Sequence, residues 1–302
     1  MWIHLDGRLV PAAEARVSVF DHGLLYGDGV FEGIRVYDGN IFRLREHLDR
    51  LFESARTLMI EIPRSLGELE ADTAEAVAAN GLRDAYIRLL VTRGVGDLGI
   101  DPASCPKPSV VIIVTGVRFY PAAVYENGMG IVTASTRRVP PDSLDPRIKT
   151  LNYVNNILAK LEARRAGVPE ALMLNHHGRV AEGTADNVFM VKHGRLKTPC
   201  VMEGALPGIT RGAVLELARA AGVSTEEGAI GLHDLYNADE MFLTGTGAEL
   251  VPVIALDGRR IGAGEPGPMT RRLAAAFMAL RVRDGFKVEY GLERERAAAS
   301  GE

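Results

Sequence analysis

Lys149 and Tyr153 stand four residues apart in Pro146-Arg147-Ile148-Lys149-Thr150-Leu151-Asn152-Tyr153, and an amine beside a phenol is a pairing that imine chemistry can use. Such chemistry needs the neutral amine, which desolvation or a cationic neighbour supplies by lowering the lysine pKa. The chain has six lysines among 35 basic residues, so arginine is its default cation. Arginine forms no stable imine with an aldehyde, so it could not stand in for a lysine needed there. Lys192 and Lys197 flank the turn His193-Gly194-Arg195, Lys107 lies between two prolines, and Lys160 is mid-helix, so these four read as surface residues. The opposite reading of Lys149 is a surface lysine at a helix terminus.

Other residues offer complementary chemistry. Glu182 ends a predicted strand beside Gly183, where a carboxylate meets either solvent or a ligand nitrogen. Leu206-Pro207-Gly208-Ile209-Thr210-Arg211-Gly212 leads into a predicted helix over 213–221 with Thr210 as N-cap, and the free amides there favour a phosphate. Thr244-Gly245-Thr246-Gly247-Ala248-Glu249 follows a strand as a second Thr/Gly turn. Together with Arg50 these two segments suggest a phosphate cup. The pair His176-His177 reads as a turn, with no third metal ligand nearby.

The elements that must position these groups follow from periodicity. Leu151, Val154, Leu158 and Leu161 recur at spacings of three and four, the pattern of a helix stripe after Lys149. If that helix already includes Lys149, the lysine and Tyr153 share a face. Residues 26–37 read as a strand with Phe31, Gly33, Arg35 and Tyr37 on one face, either a pocket wall or an edge strand. A helix is predicted over 44–59, with Arg50 flanking its apolar stripe and reaching either solvent or a cleft. A second helix covers 66–79 and stops at Asn80-Gly81. The strand over 85–92 sets Tyr86 and Arg88 on one face. Gly94-Val95-Gly96-Asp97-Leu98-Gly99 matches G-x-G-x-x-G, yet Pro102, Pro106 and Pro108 follow where a dinucleotide site needs a helix. That reading is rejected, and the segment is kept as a flexible loop near a site. Further on come a strand over 110–114, a linker over 118–130, a strand over 131–134, a hairpin over 171–182, and a last helix over 269–282.

At 302 residues the chain is long enough for two domains. Its 47% hydrophobic and 25% charged residues are ordinary for a globular protein. A net charge of −4 without a basic run argues against a nucleic-acid surface, and no apolar run is long enough to span a bilayer. Met1 to Gly7 reads as a strand and turn with none of the parts of a signal peptide. Cys105 and Cys200 lack metal-ligand spacing, and such sparse usage suits the cytoplasm. Arg296-Ala297-Ala298-Ala299-Ser300 reads as a frayed tail.

These motifs, in this order, resemble the class IV (fold-type IV) pyridoxal-phosphate aminotransferases, and most closely the branched-chain amino-acid type. The resemblance runs from Tyr26-Gly27-Asp28-Gly29-Val30-Phe31-Glu32-Gly33-Ile34-Arg35 through Tyr86-Ile87-Arg88, Lys149 to Tyr153, Glu182 to Asn187 and Leu206 to Arg211, to Thr244 to Glu249. It implies an α+β fold of two α/β domains, residues 1–117 and 131–302, joined by an interdomain loop over 118–130. The cofactor would lie in the cleft between them, and the lysine would belong to the C-terminal domain.

The same resemblance implies roles. Lys149 would form the imine with pyridoxal 5′-phosphate and later shuttle a proton. Tyr153 would bond the phenolic oxygen and Glu182 the pyridine nitrogen. Arg50, Ile209, Thr210 and Thr246 would hold the phosphate, and Leu206 would pack on the ring. Phe31, Gly33, Tyr86, Arg88, Gly247 and Ala248 would line the substrate pocket, with Tyr26 reaching across from a partner subunit of a homodimer. The loop at 94–99 and a linker near Phe119 would close over it. The implied reaction is ping-pong transamination between leucine, isoleucine or valine and 2-oxoglutarate, without metal, nucleic acid or membrane. A D-amino-acid or (R)-amine aminotransferase, or an aminodeoxychorismate lyase, are alternatives on the same fold, and a cofactor-binding protein without turnover is the non-enzymatic one.

Overall fold

A computed structural model describes residues 1–117 and 120–291. Arg118 and Phe119, where the linker is expected to begin and to close over the site, lie outside the described residues, as does the tail from 292. The chain divides into two compact units. The first holds residues 1–117, Ile148–Asn152 and residues 280–291; the second holds residues 120–147 and Tyr153–Ala279.

In the first unit the strands are β1 (Trp2–Leu5), β2 (Arg8–Pro11), β3 (Gly29–Tyr37), β4 (Asn40–Phe42), β5 (Ala85–Thr92) and β6 (Ser109–Thr115). With Gly285–Lys287 they form, among the described residues, one antiparallel sheet ordered Gly285–Lys287, β4, β3, β5, β6, β1, β2. The short helix α1 (His22–Tyr26) precedes β3, and the helices α2 (Leu44–Thr57) and α3 (Leu66–Asn80) join β4 to β5. Period-two alternation sorts the sheet's faces. Val30, Ile34 and Val36 of β3, with Ala85, Ile87, Leu89 and Val91 of β5, share one core with Leu44, Leu48, Leu51 and Ala55 of α2. Phe31, Gly33 and Arg35 therefore point to the other face, as the alternation predicts. β3 is no edge strand: all nine of its residues are buried. α3 opens on a capping box, Ser65 with Glu68, and stops at left-handed Gly81, the position the Asn80-Gly81 signal marks.

The second unit is built on a mixed sheet of β7 (Met129–Thr133), β8 (Ala171–Leu174), β9 (Val180–Gly183), β10 (Asn187–Lys192), β11 (Arg195–Pro199), β12 (Thr225–Gly228), β13 (Glu240–Gly245) and β14 (Glu249–Leu256). Its path runs β12, β11, β10, β13, β14, β7, β8, β9. The helices α4 (Ala122–Asn127), α5 (Val154–Arg165) and α6 (Ile209–Ala220) belong to this unit.

Several sequence expectations change. Residues 118–130 are not a loop throughout: they include α4, and Met129 already pairs with Val253 of β14. The lysine segment groups with the first unit instead of the C-terminal one. Phe31 N–H donates to Lys149 C=O at 3.0 Å, Leu151 N–H donates to Gly29 C=O at 2.9 Å, and Thr150 bridges Val30. Residues 280–291 join the same unit because Gly285–Lys287 pairs with β4.

α5 starts only at Val154, after Tyr153, so Lys149 and Tyr153 share no helical turn. Its apolar stripe also faces outward. Val154, Ile157, Leu158 and Leu161 are exposed, whereas Asn156, Ala159 and Ala163 are buried. Ala159 and Ala163 pack with Ala134, Ala171 and Met173, and small side chains are what let a helix lie this close to a strand. No described helix is long and apolar enough to cross a membrane.

Candidate active site

The first unit assembles Lys149, Phe31, Gly33, Tyr86 and Arg88. Lys149 Nζ lies 4.6 Å from the Phe31 ring centroid, and the Arg88 guanidinium carbon lies 4.6 Å from the same centroid. One aromatic ring thus touches two cations, each favoured by the negative face of its π system. Arg88 Nη2 donates to the Tyr86 hydroxyl at 3.1 Å. Gly33 pairs with Arg88 across β3 and β5, and a Cβ there would overlap the Tyr86 hydroxyl. Glycine is therefore what lets the Tyr86–Arg88 pair lie flat on the sheet. Tyr26 ends α1 and donates its hydroxyl to Leu98 C=O. Through this bond, and through Gly96 N–H to Phe20 C=O, the loop at 94–99 is tied to α1 and the residues just before it. The short 3₁₀ turn Pro102–Ser104 follows that loop, where a dinucleotide fold would have a helix.

Beneath this face lies a buried polar cluster that sequence reasoning missed. Glu32, fully buried on the apolar side of β3, accepts from Arg50 Nε at 2.7 Å, Arg50 Nη2 at 2.8 Å and His47 Nδ1 at 2.7 Å. Burial pushes the Glu32 carboxyl up, but the charges and hydrogen bonds of Arg50 and His47 outweigh that and hold it well below the usual carboxylate range. Burial pushes the His47 imidazole down, against the pull of Glu32, with Arg50 and Lys149 adding to the fall. A neutral His47 facing an ionised Glu32 must carry its proton on Nδ1. Arg50 thus turns inward; it neither snorkels nor reaches solvent. The signal for this cluster was present: a glutamate among Val30, Ile34 and Val36, with a histidine and an arginine three apart on the facing helix.

The second unit assembles Glu182, Leu206 and the α6 N-terminus. Glu182 lies in β9 and is buried. Its Oε1 pairs with Arg138 Nε at 3.0 Å, and its Oε2 accepts from Leu206 N–H at 2.9 Å and from Asn187 Nδ2 at 3.3 Å. Asn187 also donates to Leu206 C=O at 2.9 Å. Arg138 and Asn187 are further residues the sequence reading did not assign. The N-cap of α6 is Gly208, two residues before Thr210, which is the second helical residue. A Cβ on Gly208 would overlap Asn187 Oδ1, so glycine holds this corner.

Gly212 N–H is bonded to Gly208 C=O, leaving the amides of Ile209, Thr210 and Arg211 in the first turn as the natural anion donors. The Arg211 side chain is turned to Pro199 C=O and Glu227. Thr246, Gly247 and Ala248 form the turn between β13 and β14, where Gly245 faces Glu249 and lies against Asp186. Tyr153 stands at the N-cap of α5, and its carbonyl accepts from Ile157 N–H at 2.9 Å.

One other cluster has ligand character. Among the described residues, His4, Asp72 and Glu75 bring one ligand atom each within 4.8 Å of one another. Arg64 already holds both Asp72 oxygens, at 2.7 and 2.6 Å, and supplies the positive charge a metal would bring.

The family described as amino-transferase class IV matches residues 29–256. A Methanocaldococcus jannaschii protein, provisionally named a branched-chain-amino-acid aminotransferase, is 51% identical over 288 residues, covering 95% of this chain and 99% of that one. The crystal structure of the Escherichia coli branched-chain amino acid aminotransferase superposes with a TM-score of 0.91 at 36% identity, covering 94% of this chain and 96% of that one. A branched-chain amino acid aminotransferase from the source abbreviated T.th., complexed with N-(5′-phosphopyridoxyl)-L-glutamate, superposes with a TM-score of 0.88 at 38% identity, covering 93% of this chain and 94% of that one.

Proposed function

The chain belongs to the class IV aminotransferases, and from that membership we propose that it transfers amino groups between branched-chain L-amino acids and 2-oxoglutarate with pyridoxal 5′-phosphate as cofactor. The similar proteins that are named for this activity support the substrate class, and the phosphopyridoxyl-glutamate bound to one of them supports both cofactor and glutamate. When bound, the cofactor supplies an aldehyde for the amino group and a ring that accepts electrons.

A single observation carries the reading. Glu182 is fastened to the Leu206 amide, three residues before the first free amides of α6. A carboxylate and an anion seat at this short, fixed separation fit a small molecule with a basic ring nitrogen and a phosphate.

The residue roles follow from that placement. Glu182, oriented by Arg138 and Asn187, holds the proton of the pyridine nitrogen. The amides of Ile209 and Thr210, with Thr246 and Arg50, bind the phosphate; Leu206 packs on the ring and Tyr153 bonds the phenolic oxygen. Lys149 is the reacting amine and carries the proton to and from the substrate carbon. Phe31, Gly33, Tyr86, Gly247 and Ala248 give apolar surface for the side chain, while Arg88 pairs the distal carboxylate of glutamate.

Exposed Val19, Phe20 and Leu24 on one segment, and Leu98 and Ile100 on the loop bonded to it, support a homodimer with Tyr26 at its seam. Two free cysteines support a cytoplasmic location.

The test is amino transfer by purified protein supplied with pyridoxal phosphate. L-Leucine with 2-oxoglutarate should yield glutamate; faster turnover of D-alanine would move the chain to the D-amino-acid type.

A further inference from the structure

Lys149 lies in an irregular stretch between β7 and α5, so no helix or regular strand ladder fixes its backbone. Its carbonyl accepts from Phe31 N–H at 3.0 Å, on β3. Its amide donates not to a carbonyl but to a side chain, the Ser54 hydroxyl, at 3.2 Å. Ser54 is 3% exposed and sits on α2, one turn after Arg50 and two after His47. Residues at i, i+3 or i+4, and i+7 share a helix face, so one polar stripe of α2 faces both Glu32 and the lysine segment.

Serine is a middling helix former, and in mid-helix its hydroxyl usually turns to solvent or back to its own helix. Buried here, it serves a neighbouring segment instead. A hydroxyl also has acceptor capacity for an amide that would otherwise be half-buried and unmet.

We propose that Ser54 is a positioning residue: by accepting the Lys149 amide it fixes the backbone from which the reacting amine extends, and it ties that amine to the helix bearing Arg50. This rests on the reading of Lys149 as the reacting lysine. The side chain of Ser54 contributes no proton and no charge. Its effect is to hold the start of the lysine side chain in one place, and losing it leaves the amine present but poorly aimed.

Ser54→Ala and Ser54→Thr separate this role from a general packing role, since threonine keeps the hydroxyl. Three readouts apply. In cofactor-free protein, hydrogen exchange at the Lys149 amide should quicken about tenfold in Ser54→Ala, the loss of one hydrogen bond's protection. The rate at which pyridoxal phosphate becomes attached to Lys149, trapped with borohydride, should fall by about the same factor. Affinity for pyridoxamine 5′-phosphate, which has no aldehyde and needs no lysine, should stay within about twofold of wild type. Ser54→Thr should recover the first two.

Unchanged amide exchange and unchanged attachment in Ser54→Ala would overturn the proposal. So would a parallel loss of pyridoxamine phosphate affinity, which is the mark of a loosened pocket. If wild-type protein never attaches the cofactor to Lys149, the reading of the lysine fails. The exchange arm still reports on the Ser54 bond in that event.

Discussion

Glu32 and Arg50 meet through two hydrogen bonds, Nε to Oε1 at 2.7 Å and Nη2 to Oε2 at 2.8 Å, with the carboxylate wholly out of solvent. Taking both charges from water is costly, and such a pair breaks even only with good geometry and further hydrogen bonds. Here His47 Nδ1 supplies the third bond at 2.7 Å. The pair sets the direction of the Arg50 guanidinium, because its Nε–Nη2 edge is spent on Glu32.

Removing one partner should therefore do more harm than the pair's own worth. Glu32→Gln leaves a buried guanidinium without its counter-charge and should cost roughly 3 kcal/mol or more. A large fall in thermal midpoint checks it. A change within experimental error would show that the cluster relaxes to water.

The same cluster sets an acid limit. The His47 pKa is lowered by burial below 6.5, so below that pH the unfolded chain binds the extra proton more readily than the folded one. The His47 contribution is present above pH 6.5 and is lost as pH falls through the depressed folded value. Glu32, held below its ordinary 4.5, adds a loss of the same sign at more acid pH. Thermal midpoints measured from pH 7 down to 5 should fall, and His47→Gln should flatten part of that slope. An unchanged slope would assign the loss to other groups.

Gly33 admits the Tyr86 hydroxyl, so a methyl there must displace the ring and with it Arg88. Gly33→Ala should lower kcat/KM for L-leucine by roughly tenfold, the scale of overpacking in a tight site. Retention of pyridoxal phosphate should be unchanged. Equal loss of cofactor and substrate binding would mean that the whole sheet has shifted.

Arg88 is the cation assigned to the distal carboxylate of glutamate, and an unpaired buried carboxylate is costly. Arg88→Ala should slow the half-reaction with 2-oxoglutarate by about a hundredfold and that with L-leucine far less. Single-turnover measurements of the two halves decide it. Equal slowing of both would remove Arg88 from that role.

Much of the scaffold was legible because period and stop signals agreed. β5 alternates buried and half-buried along most of its length, and α3 runs from the Ser65 capping box to Gly81. α5 misled because its large apolar side chains point outward while two alanines pack inward, so the stripe that usually marks a core marks a surface. The α6 N-cap was misplaced because Gly208 has no side chain to announce itself. The partners of Arg50 and Glu182 were invisible for another reason. Glu32 is 18 residues from Arg50, and Arg138 is far from Glu182 along the chain, so only the folded sheet brings them together. The grouping of Lys149 with the first unit was hidden likewise, since it rests on backbone bonds to β3 that no local pattern encodes.

The central claim is that Lys149 is the amine that holds the cofactor. Protein incubated with pyridoxal 5′-phosphate, reduced with borohydride and mapped by peptide mass spectrometry tests it directly. The account predicts one phosphopyridoxyl group per chain, on Lys149, and none in Lys149→Ala. Label on Lys160 or Lys192, or on no lysine at all, would contradict it.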